Sequence, residues 1–257
     1  MRFHFSFHKC LTKYTGLSLN RVLNNLHMSK SRYRHFDSLK TDFMRESPNL
    51  NMASLNNHFI DDGELEGLSG QENTISLFTR DPRDLLVSGY FYHKKGVEPW
   101  TKIKTPVDDD YEVVNGCIPK ALKETGMSMF QYLNQCSVSE GFLIELEFRR
   151  KHFESMENWL SVPRDNLLVL DYEKIMVSEE RAFLQVAKHH RFNMVDTLGL
   201  TYFVNKYKAK KSAHNTHIRD PKPGQWKQKI PSASLQIVND TYSNLISLYE
   251  KRHSNLD

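Results

Sequence analysis

Arg2-Phe3-His4-Phe5-Ser6-Phe7, followed by His8-Lys9-Cys10-Leu11-Thr12-Lys13-Tyr14-Thr15, is where the chain changes its period. The first six residues alternate polar and aromatic side chains, the two-residue repeat of a strand. From Leu17 the spacing becomes helical, with Leu19, Val22, Leu23 and Leu26 on one stripe. A turn with one lysine and several hydroxyls separates the two. Strand, turn and helix in this order bring backbone N–H groups and the positive end of a helix dipole together, an arrangement suited to a phosphate-like anion. Lys9 adds a mobile positive charge, and Thr12 or Thr15 adds a hydroxyl donor or an N-cap. An ordinary strand-to-helix turn with solvated polar residues reads the same way from this segment alone.

Outward from this segment the chain alternates strand and helix patterns without an internal repeat. Residues 31–36 read as a short strand, and a polar helix at 40–45 is ended by Ser47-Pro48-Asn49. Residues 74–78 are a buried strand by composition, and 84–93 follow a helical pattern. Residues 94–125 show no clear period and read as an excursion or lid. Phe142, Leu146, Phe153, Met156 and Leu160 form one long helical stripe. Residues 166–170 are a further strand and 179–190 a further helix. A lysine-rich stretch at 206–211 leads to a Pro/Gly loop at 221–224. Leu235, Val238, Tyr242, Leu245 and Tyr249 close the chain as an amphipathic helix. The alternation predicts an α/β fold, a central mainly parallel sheet flanked by helices, as a single domain over residues 1–257. Ligands of such sheets sit at the carboxyl ends of the strands near a switch in strand order, where the Lys9 loop and the loop after Phe78 are both expected.

Composition narrows the function. The chain has 257 residues, 39% hydrophobic and 26% charged, as expected of a soluble globular protein. Its 35 basic and 31 acidic residues leave a net charge of +4, which favours an anionic ligand without the concentrated basic stripe of a nucleic-acid binder. No apolar run approaches a membrane span, and no charged-then-apolar leader precedes the first strand. Cys10, Cys117 and Cys136 stand far apart and in no metal-ligand spacing, so reduced thiols in a cytoplasmic protein are expected.

The second informative stretch is Phe78-Thr79-Arg80-Asp81-Pro82-Arg83-Asp84-Leu85-Leu86-Val87-Ser88-Gly89-Tyr90. Arg80 leaves the buried strand at its carboxyl end, and Pro82 suits the first turn of a helix. Ser88 lies two helical turns beyond Arg80. An arginine can grip a phosphate through two parallel hydrogen bonds, with a hydroxyl completing the shell. A surface ion pair of Arg80 with Asp84, and Ser88 as a packing residue, is the alternative that spacing leaves open.

Taken together, these stretches resemble the sulfotransferases that use 3'-phosphoadenosine 5'-phosphosulfate (PAPS). His8-Lys9-Cys10-Leu11-Thr12 is similar to that family's phosphosulfate-binding loop. Arg80-Asp81-Pro82-Arg83-Asp84 through Ser88-Gly89-Tyr90 is similar to its 3'-phosphate motif, the most specific of the matches. Arg219-Asp220-Pro221-Lys222-Pro223-Gly224-Gln225-Trp226-Lys227 resembles its late loop, and Leu170-Asp171-Tyr172-Glu173 its strand end before a helix. The four matches stand in the family's order and cover nearly the whole chain.

The resemblance implies a three-layer P-loop-like fold and transfer of a sulfuryl group from PAPS to an acceptor hydroxyl. Lys9 would stabilise charge on the leaving oxygen. Thr12 and the amides of the loop formed by Cys10, Leu11 and Lys13 would hold the non-bridging oxygens. Arg80, Ser88 and Arg219 would bind the 3'-phosphate, with Pro223 and Gly224 in the late loop beside it. Tyr14 stands where the family often has a tryptophan against adenine, and Tyr172 would contact the adenine edge. His58, 22 positions before Arg80, falls where the family places a catalytic base, and an imidazole can accept a hydroxyl proton near neutral pH. The transfer requires positioning and charge stabilisation, and no metal. A small-molecule or carbohydrate hydroxyl is the expected acceptor.

Several residues depart from the family pattern. Leu11 stands where glycine is usual, and a leucine disfavours the positive φ that glycine allows. Lys13 replaces a second hydroxyl, Asp220-Pro221 replaces residues whose amides help with the 3'-phosphate, and Asn56 stands where some members carry a lysine. They leave open a divergent P-loop-like nucleotide- or anion-binding protein without transfer activity. A P-loop kinase would show Gly-x-x-x-x-Gly-Lys-Ser/Thr, which is not in this loop. A polyanion-binding protein would rely on Lys206, Lys208, Lys210 and Lys211.

Overall fold

Strand β1 (Arg2–Ser6) is buried along four of its five residues, on both faces. Phe3 and Phe5 stack with ring centroids 6.3 Å apart. The alternate residues His4 and Ser6 are also inside, where the His4 ring shares a 2.9 Å hydrogen bond with Ser76 Oγ and Ser6 Oγ donates to Thr12 Oγ1 at 2.9 Å. The alternation of β1 therefore separates an apolar face from a hydrogen-bonded one, as a parallel sheet covered on both sides requires. These contacts belong to a computed structural model that describes residues 1–7, 9–28, 32–36, 50–56, 72–161, 164–208 and 222–254.

Four further strands join β1: β2 (Tyr33–Phe36), β3 (Met52–Asn56), β4 (Thr74–Thr79) and β5 (Leu167–Asp171). All pair in parallel, in the order β2-β3-β1-β4-β5. The chain thus builds outward from β1 in both directions, which makes the β1/β4 boundary the switch point. The strand patterns at 31–36, 74–78 and 166–170 are β2, β4 and β5. β3 has no counterpart in the sequence reading.

The chain divides into two compact units, Met1–Arg80 with Pro163–Lys222, and Asp81–Val162 with Pro223–Asp257. The first holds the whole sheet. Its helix α1 (Thr12–Asn20) begins five residues before the stripe that signals it and runs on into a π-helical turn, Arg21–Asn25. The buried Asn24 side chain ties that turn to β2, accepting from the backbone N–H of Tyr33 at 2.9 Å and donating to the Tyr33 carbonyl at 2.8 Å. Among the described residues the helices Tyr172–Val177, Glu179–His189 and Met194–Lys206 also belong to this unit, and Glu179–His189 packs on β4 and β5.

The second unit begins with α2 (Pro82–Lys94). Residues 94–125 hold three short helices, Pro99–Lys102, Asp108–Glu112 and Lys120–Thr125, pinned by the buried Trp100, Tyr111 and Leu122. The stripe from Phe142 to Leu160 is two helices, Val138–Phe148 and Arg150–Ser161, broken at Arg149. The closing stripe is also two, Ser232–Thr241 and Ser243–Ser254, with Tyr242 at the break and its ring edge-on to Phe153 at 4.9 Å. The helix expected at 40–45 lies outside the described residues.

Candidate active site

β1 and β4 end side by side, Ser6 opposite Phe78, so the loops that follow them leave the same edge of the sheet. The first loop contains two left-handed residues, Lys9 (φ 71°) and Leu11 (φ 64°), around the buried Cys10, whose N–H donates to Phe7 O at 2.9 Å. Leu11 is the N-cap of α1 and supplies no side-chain cap to its first turn. Turn amides of this kind, set ahead of a helix N-terminus, form an anion-binding concavity.

Leu11 takes the positive φ that its side chain was expected to resist. The conformation costs roughly 1–2 kcal/mol for a residue with a Cβ. Packing offsets it, because Leu11 lies against the buried Tyr172 and Met176.

The other loop residues divide into anchors and exposed groups. Thr12 Oγ1, which accepts from Ser6, also donates to Phe7 O at 3.4 Å. Tyr14 donates its hydroxyl toward Glu179 Oε2 (2.7 Å) and the Val204 carbonyl (2.9 Å), and its ring stands edge-on to Phe183 at 5.4 Å. Burial and then the Glu179 carboxylate push the Tyr14 pKa far up, so it is a neutral phenol locking α1 to the helices beside it. Lys9 is half-buried and Lys13 exposed. Thr15 Oγ1, buried in the first turn of α1, has no hydrogen-bond partner among the described residues.

Arg80 follows β4 and is 4% exposed. Its guanidinium carbon lies 4.2 Å from the centroid of the Tyr172 ring. Tyr172 begins its helix directly after β5, which pairs with β4 through Thr79 and Asp171. Burial raises the Tyr172 pKa to about 12 against the opposing charge of Arg80. The Lys9 loop, Tyr172 and Arg80 are therefore contiguous: Leu11 touches the tyrosine and the arginine lies over its ring.

The second unit joins two stretches that are 140 residues apart. Asp81 caps α2 by accepting from the Arg83 N–H at 2.9 Å, and Arg83 holds the same carboxylate through two nitrogens at 2.9 and 2.7 Å. Its guanidinium lies 3.9 Å from the Trp226 ring centroid. Asp84, fully buried, accepts from the N–H groups of Gly224 at 2.5 Å and Trp226 at 3.0 Å. Gly224 has φ 76°, a conformation suited to glycine, and Pro223 beside it is exposed and carries no N–H. Asp84 is thus the anchor of the late loop, a role its sequence spacing did not show. Ser88 is half-buried two turns along α2.

His8, His58, Arg219, Asp220 and Pro221 lie outside the described residues, as do Lys210 and Lys211. Among the described residues no group of His, Cys, Asp or Glu is placed to hold a metal ion, and no helix is long and apolar enough to cross a membrane.

No protein-family model matches the chain, and no curated protein matches it by sequence. Solved structures do match. A mouse sulfotransferase, SULT7A1 complexed with PAP, superposes with a TM-score of 0.60 at 11% identity, covering 98% of this chain and 88% of that one. Retinol dehydratase in complex with androsterone and the inactive cofactor PAP superposes with a TM-score of 0.56 at 14% identity, covering 95% and 80%. At such identities the likeness is one of fold, and it extends over nearly the whole chain. The parallel five-stranded sheet, superposing on these two PAP-bound structures over nearly the whole chain, gives this chain the fold that they share, that of a sulfotransferase among them.

Proposed function

We propose that the protein is a PAPS-dependent sulfotransferase that moves a sulfuryl group to the hydroxyl of a small molecule or carbohydrate. The observation that carries the reading is the contiguity of the Lys9 loop, Tyr172 and Arg80 at the carboxyl ends of adjacent strands. An anion-binding loop, an aromatic ring and a buried guanidinium in sequence suit a phosphosulfate, an adenine and a second phosphate of one donor. The left-handed turn at Lys9 and Leu11 fits an anion at the loop. PAP bound to both fold neighbours supports the same donor.

The donor supplies an activated sulfuryl group. Lys9 offsets negative charge on the departing oxygen, and the amides of Cys10, Leu11, Thr12 and Lys13 hold the non-bridging oxygens. Thr12 and Tyr14 keep the loop and α1 in place through their hydrogen bonds. Arg80 grips the 3'-phosphate while Tyr172 meets the adenine edge; Ser88 and Arg219 complete the set on the strength of the sequence motifs, with Pro223 and Gly224 in the late loop beside it. His58 takes the proton from the acceptor hydroxyl as the new S–O bond forms and the bond to the donor phosphate breaks. No metal enters this scheme. A hydroxylated small molecule is supported by the androsterone bound to retinol dehydratase, and residues 94–125 are the segment we assign to covering the acceptor. Cys10, Cys117 and Cys136 form no disulfide, which suits a cytoplasmic setting.

The test is transfer of labelled sulfate from PAPS to a panel of alcohols, phenols and sugars. Turnover with at least one class is expected, with loss in Lys9→Ala and His58→Ala. No transfer to any class, or full turnover in Lys9→Ala, overturns the proposal.

A further inference from the structure

The edge of the sheet opposite the Lys9 loop opens into a cavity of about 550 Å³. It lies where β1 and β4 begin and where the chain enters β2 and β3, and Arg2, Arg32 and Arg191 all line it. Burial lowers the Arg2 pKa most; the charge of Asp196 pulls it back up, by more than the neighbouring charge of Arg32 lowers it. Like charges gathered in a half-buried space repel one another, and an anion between them removes the repulsion.

Two carboxylates, Asp196 and Glu72, line the cavity against three arginines, so they fill that role only in part. Asp196 has a side chain only 2% exposed; one oxygen is engaged by His27, and the other accepts from Asn193 Nδ2 at 3.1 Å. Glu72 is exposed. His190 adds no charge. Both its ring nitrogens are bonded, to Thr74 and Ser76 at 2.8 Å, and burial holds its pKa well below the usual value. The arginines are partly held in place. The Arg2 guanidinium lies 5.2 Å from the Phe192 ring, and the Asn51 amide oxygen accepts from Arg32 at 2.9 and 3.1 Å. Among the described residues Met1 and Leu50 are the apolar ones of the lining, and none of those that line it carries a phenyl or indole ring. Such walls suit hydroxyl groups better than a nucleobase.

We propose that this cavity binds a small hydroxylated anion, a sugar-sized molecule bearing a phosphate or sulfate ester, with Arg2, Arg32 and Arg191 as its cationic ligands. Guanidinium forks match tetrahedral oxyanions, and Asn51 and Thr74 offer partners for hydroxyls. The inference stands apart from the proposed donor site, which lies at the other edge of the sheet.

Calorimetry of the full chain with glucose 6-phosphate, glucose 6-sulfate and AMP tests it. One of the two sugar esters is expected to bind in the millimolar range or tighter, and whichever binds better identifies the ester. Binding should persist in Lys9→Ala and weaken about tenfold or more in Arg32→Gln and in Arg191→Gln. The exposed Arg191 side chain makes the second variant informative even if the first fails to fold. No heat with either sugar ester, or equal affinity in Arg191→Gln, overturns the proposal. Binding of AMP alone, lost in Lys9→Ala, overturns it too by placing the anion at the other edge.

Discussion

The guanidinium of Arg80 lies over the ring of Tyr172, 4.2 Å from its centroid, and Leu11 packs against the same tyrosine. One aromatic side chain therefore links the loop after β1 to the end of β4. A cation over a desolvated ring contributes about 0.5–2 kcal/mol. Tyr172→Leu should accordingly weaken binding of PAP several-fold in calorimetry. Tyr172→Phe keeps the ring and should stay near wild type. Equal losses in both variants contradict the arrangement.

Asp84→Asn tests the anchoring of the late loop. A carboxylate accepting from two amides, Gly224 and Trp226, is replaced by a group with one acceptor oxygen and two donors. Hydrogen bonds to a charged group contribute about 1.5–3 kcal/mol. Faster hydrogen exchange at these two amides is expected, along with a lower melting temperature. Unchanged exchange at Gly224 contradicts the anchor.

Gly89→Ala should be among the most damaging single-methyl changes in the chain. A Cβ at this point of α2 would stand 1.9 Å from Glu145 Oε1 and 2.3 Å from an Arg149 nitrogen. Glu145 is fully buried between His93 Nδ1 at 2.7 Å and Arg149 Nε at 2.6 Å. Breaking a buried ion pair costs about 3–5 kcal/mol. Urea unfolding should show a loss of that order or a chain that does not fold, and a midpoint equal to wild type contradicts the packing.

Acid should destabilise the fold well before the carboxylates titrate. Burial holds His4 at a pKa of about 3, and burial with the charge of Arg149 does the same for His152. In the unfolded chain both protonate near 6.5. Between these values the unfolded state binds more protons, so stability is complete above about 6.5 and falls as the pH drops toward 3. Each histidine steepens the slope by up to about 1.4 kcal/mol per pH unit. Urea midpoints at neutral pH and at about pH 5 measure this, and a flat profile contradicts it.

Much of the sheet is legible in the sequence, because β1 alternates polar with aromatic residues and β4 and β5 are largely apolar runs with turn residues beside them. β3 is not, since Met-Ala-Ser-Leu-Asn carries small and polar residues whose burial depends on distant partners. Ser54 is held inside by the Tyr33 hydroxyl at 2.6 Å and the His35 ring at 2.8 Å. The breaks at Arg149 and Tyr242 escape a periodicity argument for the same reason: the apolar stripe continues across both. At the site, Lys9 and Arg80 follow from strand ends and residue type. The anchoring of Tyr14 by Glu179, of Leu11 by Tyr172 and of Gly224 by Asp84 spans from 140 to 165 positions for each pair, and no local pattern reports such contacts. The late loop resembles a phosphate-binding motif in sequence, whereas its Gly224 amide is committed to Asp84.

The most direct measurement is the affinity of the purified chain for PAP against ATP, in wild type and in Lys9→Ala and Arg80→Ala. The account expects PAP to bind far more tightly than ATP, and each substitution to cost about tenfold or more, as loss of a charge-assisted phosphate contact does. Equal affinity for the two nucleotides, or PAP binding unaffected by Arg80→Ala, would contradict it.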